Sequence, residues 1–388
     1  MNTSLHFYGM GPRIAALGVA QIINWGALYY ALALIGPPMI ADTGWSEGFV
    51  YSGFALAILL MGAFGPLSGK WVDRQGGLPV MLTGTLISAS GLFVVSQAQD
   101  KLIFLFGWAL MGIGMSACLY DTSFASLARL CGPMTRRAIS ALTLVAGFSS
   151  TVTWPVTSAL LTLADWRGVL RLEMAAMLCI SAPLILFALH SSAVVYPALD
   201  DNDEADESRP LSGQALIPQK NLLKAMALFT LIFTAQGFVL NAISIHVLSL
   251  FGALGMSAGL AMLAGTLIGP SQVGARLIEL LFGRNLSVMG LGLLTMGLFP
   301  LALTLPLLMP PTLFTALLFG VTYGASAGLS TIARGVMPYE LFGADGYGRR
   351  LGLLSAPALV AKAFAPATIA MVIESAGPRI ALITCISI

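Results

Sequence analysis

Charge is what this chain has least of. Asp, Glu, Lys and Arg together make up 9% of its 388 residues, against about a quarter in soluble proteins. So little charge excludes water as the solvent for most of the surface. Basic runs with interleaved aromatics are missing and the formal net charge is only +2, which argues against a nucleic-acid partner. The four cysteines, Cys118, Cys131, Cys179 and Cys385, form no C-x-x-C pair, and three fall in apolar runs where thiols usually act as small hydrophobes. A metal or metalloid–thiolate site is the lesser alternative, and neither metal nor cofactor is expected. No Gly-x-x-x-x-Gly-Lys-Ser/Thr loop is present, which argues against ATP-driven pumping by this chain. H-E-x-x-H is missing too, and an enzyme is not expected.

What fills the chain instead is apolar sequence, 57% of residues, with 42 glycines and 20 prolines. That mixture marks an all-α polytopic membrane protein. A crossing takes about 20 residues at 1.5 Å each, and stretches of that kind lie at 14–37, 46–69, 78–97, 102–129, 138–162 and 168–189. After a polar interval they resume at 222–249, 256–280, 287–308, 312–334 and 350–374. A twelfth begins at Pro378 and reaches Ile388, about 16 Å of helix, so it reads as truncated or as ending inside the bilayer. The first stretch lacks a cleavable small-residue boundary and is read as a retained span. The interval includes Asp200-Asp201-Asn202-Asp203-Glu204-Ala205-Asp206-Glu207, too charged to bury and expected to be solvated. The expected organisation is therefore a six-helix bundle over 1–190, an acidic cytoplasmic linker over 191–221 and a second bundle over 222–388. Gly65-Pro66 followed by Lys70 and Asp73 is echoed by Gly269-Pro270 followed by Arg276 and Glu279, as paired halves require. Basic residues such as Lys70, Arg74, Arg129, Arg136, Arg137 and Arg334 outnumber Lys101, Arg167, Arg171 and Arg379 across the membrane. This places the N-terminus and linker in the cytoplasm.

Polar residues inside such a chain are candidates for function. Gly69-Lys70-Trp71-Val72-Asp73-Arg74-Gln75-Gly76 gathers three charges and two glycines into a short polar turn between spans 2 and 3. Asp121, in Cys118-Leu119-Tyr120-Asp121-Thr122, is an intramembrane carboxylate, which normally faces a cavity or a partner. Three readings stand for it: a proton-exchanging group, a structural ion pair, or a helix-end carboxylate near the headgroups. Lys362 lies near mid-membrane between Pro357 and Pro366, too deep to snorkel easily. It suits an anionic substrate or a switchable pair with Asp121, against the alternative of a purely structural pair.

The Gly-x-x-x-Asp-Arg-x-Gly spacing of Gly69, Asp73, Arg74 and Gly76 resembles the loop between helices 2 and 3 of the major facilitator superfamily of secondary transporters. The resemblance implies two six-helix bundles of twelve spans, alternating access, and a gating role for this loop. Asp73 is further expected to face the positive N-terminus of span 11; the bland alternative is positive-inside topology plus an ordinary turn. Gly77-Leu78 departs from the basic pair usual after the loop. Gln272 and Arg276 are similar to span 8 of monocarboxylate porters, with Gln272 in place of that branch's Asp; this keeps a candidate carboxylate-binding Arg and removes a proton site. Trp25 to Tyr30 and Gly44-Trp45-Ser46 fit the branch loosely. Spans 1, 4, 7 and 10 line the cavity in the resembled fold, which makes candidates of Asn24, Tyr29, Tyr30, Gln236, Asn241, His246 and Tyr323, with Arg334 as a gate at the cytoplasmic mouth. Interhelical bonding or headgroup anchoring accounts for any one of these equally simply. Trp154-Pro155 replaces the Gly-Pro that ends span 5 in proton antiporters and weighs against drug/proton antiport. The expectation is an inner-membrane transporter, monomeric in the lipid bilayer, for a small-molecule substrate. A small organic anion, moved with a proton, is preferred; an efflux carrier for drug-like or metalloid compounds and a transport-inactive sensor are the alternatives.

Overall fold

The computed structural model describes residues 3–190, 215–283 and 286–388. The core of the expected linker, including the acidic run, lies outside them. Among the described residues all regular structure is helical. In the first half, α1 (Thr3–Trp25) continues through a π-helical turn, Gly26–Tyr30, into α2 (Leu32–Thr43). Then come α3 (Glu47–Gln75), α4 (Gly77–Gln97), α5 (Lys101–Cys118), α6 (Tyr120–Cys131), α7 (Thr135–Ala146), α8 (Ser149–Leu161) and α9 (Trp166–Ala176). A second π turn, Met177–Ser181, leads into α10 (Ala182–Leu189). The second half holds α11 (Leu222–Ala253), α12 (Ala258–Phe282), α13 (Val288–Leu308), α14 (Leu313–Phe342), α15 (Tyr347–Ala376) and the short α16 (Pro378–Ser387).

Nine of the described segments are long and apolar enough to cross a membrane. One of them, Lys101–Leu161, has 61 residues, enough for two crossings. Large apolar side chains such as Leu102, Phe106, Leu223, Phe282, Leu293 and Leu308 are exposed; in water they would invite aggregation, whereas lipid is their natural solvent. Short polar residues start the spans. Ser46, Asp100, Asp165, Ser257 and Ser287 each accept a first-turn N–H of the helix that follows, donors that helix geometry leaves without an intrahelical partner.

The chain divides into two compact units. The first comprises Met1–Leu216 with Pro338–Ala356, the second Ile217–Met337 with Pro357–Ile388. In the first unit α4 and α5 pack so closely that a Cβ on Gly91 would lie 2.7 Å from the Gly107 carbonyl oxygen. In the second, Gly320, Gly324 and Gly328 form a stripe on α14 against α12, where added Cβ atoms would meet the carbonyl oxygens of Ala264, Ile268 and Gln272 at 2.9, 2.6 and 2.6 Å. Such stripes of small residues are how helices approach where no hydrophobic force drives them together. A cluster of Phe251, Phe299, Phe319 and Tyr323 fills the core of the second unit, and α16 packs Ala381, Leu382 and Cys385 into it.

Two expectations change in physical detail. Span 4 is not continuous: Leu119 is extended (φ −97°, ψ −161°) and separates α5 from α6. The carbonyls freed by the break find side-chain donors, which is what a broken helix at membrane depth needs. Gln21 Nε2 donates to Cys118 O at 2.8 Å, and Thr122 Oγ1 donates to Ser116 O at 2.9 Å. The Gly69–Gly76 segment is likewise not a loop. Helix α3 runs on to Gln75 and ends only at Gly76, where φ is +84°.

Candidate functional site

Asp73 sits in the last turn of α3, and its carboxylate caps α15. Oδ1 accepts the Gly348 N–H and Oδ2 the Arg349 N–H, both at 2.8 Å. These are free first-turn amides at the positive end of the helix dipole, where an anion is most favourable. Arg129 of α6 braces the same turn, its Nη1 donating to Val72 O at 2.8 Å and to Asp73 O. The approach of α3 to α15 is set by four glycines in two matched i, i+4 pairs. A Cβ on Gly69 would stand 2.0 Å from Gly348 O, and one on Gly352 would stand 2.5 Å from Gly65 O. Arg74 is exposed and takes no part in this clamp. At the sequence level Gly65 was noted only as part of the repeated Gly-Pro and Arg129 only as an inner basic residue, while Gly348 and Gly352 were missed. The signal for the glycines was the Gly-x-x-x-Gly spacing in both segments.

Around the helix break lies a second constellation. Asp121 falls in the first turn of α6. Asn24, fully buried on α1, donates through Nδ2 to Cys118 O at 3.4 Å and accepts from Ser181 Oγ at 2.7 Å. A hydrogen-bonded line therefore runs from the second π turn through α1 to the break. Beside it Trp25, Tyr29, Tyr30 and Tyr120 form an arc of rings, with Trp25 5.3 Å from Tyr29, 6.5 Å from Tyr30 and 5.0 Å from Tyr120, centroid to centroid. Tyr29 extends the arc to Phe54 at 4.9 Å. The π turn Gly26–Tyr30 creates this arrangement, since its extra residue per turn brings Tyr29 and Tyr30 beside Trp25. The structure thus brings Asn24 to the break and gathers Tyr29, Tyr30 and Tyr120 around Trp25, while Asp121 follows Tyr120 in the first turn of α6.

In the second unit most candidates turn out to hold helices together. Pro366 has no N–H, which would leave Lys362 O without its helical partner; Asn241 Nδ2 donates to it at 2.8 Å. His246 Nε2 lies 3.0 Å from Pro366 O. Tyr323 is fully buried and donates to Leu240 O at 2.7 Å, with Ser244 Oγ at 3.2 Å. Gln236 Oε1 accepts from Ser330 Oγ at 2.8 Å. Arg276 is buried between α12 and α14, reaching Gly328 O at 3.4 Å and Thr331 Oγ1 at 3.3 Å. The backbone of Gln272 packs against Gly328 one turn earlier. Lys362 is half-buried on α15 and its Cε lies 3.0 Å from where a Cβ on Gly237 would stand. Arg334 lies half-buried in α14. Asp121 and Lys362 fall in different units.

One residue went unnoticed in the sequence. Glu173 of α9 is 8% exposed and accepts from Thr157 Oγ1 of α8 at 3.2 Å. A carboxylate in the apolar run Val169-Leu170-Arg171-Leu172-Glu173-Met174 was the available signal.

The family model described as Major Facilitator Superfamily matches residues 17–278. The chain is similar to the multidrug resistance protein MdtL of Shigella flexneri serotype 5b (strain 8401), 31% identical over 172 residues, 43% of each chain. It is also similar to MdtH of Aeromonas salmonicida (strain A449), 27% identical over 99 residues, 26% of this chain and 24% of that one. The matched segments thus span under half the length of these curated relatives. Among solved structures, the proton:xylose symporter XylE superposes with TM-score 0.68 at 14% identity, over 100% of this chain and 94% of that one. The human organic anion transporter MFSD10 (TETRAN) does so with TM-score 0.65 at 19% identity, over 97% and 95%. At these identities the likeness is one of fold.

Proposed function

From the premise that the chain belongs to the major facilitator superfamily, we propose that this multi-pass membrane transporter moves amphipathic, drug-like cations by alternating access. The observation that carries the reading is the arc of Trp25, Tyr29, Tyr30 and Tyr120 at the start of α6, the turn that also holds Asp121. Aromatic faces bind flat apolar bodies and attract positive charge, more strongly when desolvated. Asp121, next in sequence to Tyr120, is the carboxylate that would supply the complementary charge. The relatives named for multidrug resistance support the same class. Export in exchange for protons fits a cationic substrate in an inner membrane.

Asp73 and the glycine pairs act in the gate. Because α15 begins in the first unit and passes into the second at residue 357, releasing its first turn from α3 frees the segment that joins them. The transport cycle then includes loss of the two Asp73 hydrogen bonds in one state and their recovery in the other.

A second reading, proton-coupled import of a small monocarboxylate, rests on Lys362, a half-buried cation in an apolar helix. Arg276 supports it less, since its guanidinium already serves Gly328 and Thr331. The two readings separate in proteoliposomes holding the full chain. Ethidium accumulation driven by an acid interior, lost in Tyr29→Ala and kept in Tyr29→Phe, supports the cation reading. Lactate uptake that requires Lys362, without ethidium transport, would favour the second.

A further inference from the structure

Glu173 stands apart from both the gate and the aromatic cluster. It lies two turns into α9, with 8% of its surface exposed. One donor reaches it, the hydroxyl of Thr157, itself 1% exposed, at Oε1. Its other oxygen, Oε2, is buried and has no hydrogen-bond partner among the described residues. Buried polar atoms are almost always satisfied, and an exception calls for a functional account.

Among the described residues, the elements packed most closely on α9 supply no counter-charge. Helix α9 packs against α4, α8, α2 and the two π turns. Neither α4 nor α8 contains a charged or titratable residue. Helix α2 contributes Asp42, the first π turn Tyr29 and Tyr30, and the second Cys179, which is exposed. The arginines of α9 itself are engaged elsewhere, Arg167 with Asp42 and Ala98 O, and Arg171 Nε with Ser96 Oγ. Ionised, this carboxylate would be a buried charge with one neutral donor and no cation, an arrangement far more costly than a buried neutral acid with one unfilled bond. The neutral acid is therefore the form that this environment favours, and ionisation requires a change in what surrounds Oε2.

We propose that Glu173 and Thr157 form a proton-binding site of the first unit, separate from Asp121, whose loading and release couple the proton gradient to transport. The route from this site to the substrate cluster is on hand. Glu173 precedes the π turn Met177–Ser181 by one helical turn, and π turns recur at functional positions. Ser181 bonds Asn24 at 2.7 Å, and Asn24 bonds the carbonyl of Cys118 at the helix break beside Asp121. The coupling role rests on the transporter reading above; the proton site itself does not.

The test has two arms on the full chain in liposomes. Infrared difference spectra across a pH titration, without substrate, report protonated carboxyl C=O stretches directly. One band at the frequency of a buried carboxyl, distinct from those of the exposed carboxyls, is expected to titrate in the unmodified protein and in Asp121→Asn, to be lost in Glu173→Gln, and to be displaced in Glu173→Asp, which keeps a titratable group should the amide fold poorly. In the second arm, Glu173→Gln keeps ethidium exchange at zero pH gradient within about two-fold, while gradient-driven accumulation falls about ten-fold or more. A titration unchanged in Glu173→Gln overturns the proton site. Equal loss of exchange and accumulation, with the band confirmed, reduces the residue to a structural one and overturns the coupling role. If the unmodified protein moves no ethidium, the substrate reading fails, and the infrared arm still decides whether the site binds a proton.

Discussion

Replacing Gly69 by Ala is the sharpest perturbation of the proposed gate. The new methyl would stand 2.0 Å from Gly348 O and 2.3 Å from its carbon, whereas carbon–oxygen contacts settle near 3.3 Å or more. The start of α15 must therefore recede by roughly 1.3 Å or tilt away. Asp73 binds amides of that same turn at 2.8 Å, so a displacement of that size takes both hydrogen bonds past useful length. Hydrogen bonds to a charged group are worth about 1.5–3 kcal/mol each, and overpacking adds about 1–3 kcal/mol. Counting only one bond's worth as differential between the two gate states gives a shift of about ten-fold or more in their populations. Hydrogen exchange of the peptide spanning 345–352 is the direct assay, since free first-turn amides exchange when their acceptor leaves. Faster exchange there, with the rest of α3 unchanged, is the expected result. Protection and transport rates equal to the unmodified protein would show that the glycine contact does not hold the gate.

Three further outcomes follow from other contacts. Asp73→Asn keeps one acceptor and turns an amide donor toward the second N–H, so the same peptide should lose protection by about 1.5–3 kcal/mol in opening free energy, and intact protection would count against the cap. Asn241→Leu strips the donor from the carbonyl that Pro366 orphans, at about 1–3 kcal/mol, and lowers Tm; adding Pro366→Ala restores a backbone donor and should recover most of it. Additive losses in that double variant would show that the two residues do not share the carbonyl. Tyr120→Leu preserves apolar bulk and removes a ring of the arc, so ethidium KM rises while lactate handling is unaffected, and an unchanged KM would remove Tyr120 from the site.

The helices and the clamp were readable because polar residues are rare in this chain. Asp73, placed after an apolar span, announced a contact at an inner helix end, and its acceptance of two α15 amides meets the expectation for span 11. That α3 continues through Lys70 to Gln75 was not visible, since the same charges that suggest a turn also suit a helix leaving the membrane. The break at Leu119 was equally hidden. Cys118-Leu119-Tyr120 contains no Gly or Pro, and the donors that make the break tolerable, Gln21 and Asn24, lie 97 and 94 residues away. Pro366 could be read as a helix perturbation, but the side chain that answers it, Asn241 on α11, could be found only in three dimensions. Glu173 was legible as an intramembrane carboxylate; its significance comes from the partners it lacks, which the sequence alone does not show.

The aromatic arc and Asp121 in the first unit are proposed to bind a cationic substrate. That role is tested by equilibrium binding of ethidium to the purified full chain, followed by quenching of tryptophan fluorescence, in the unmodified protein and in Tyr29→Ala. Saturable quenching that weakens by about ten-fold or more in the variant, as loss of a desolvated cation–π contact implies, is the predicted result. Saturable binding of equal strength in both proteins, or none in either, would contradict it.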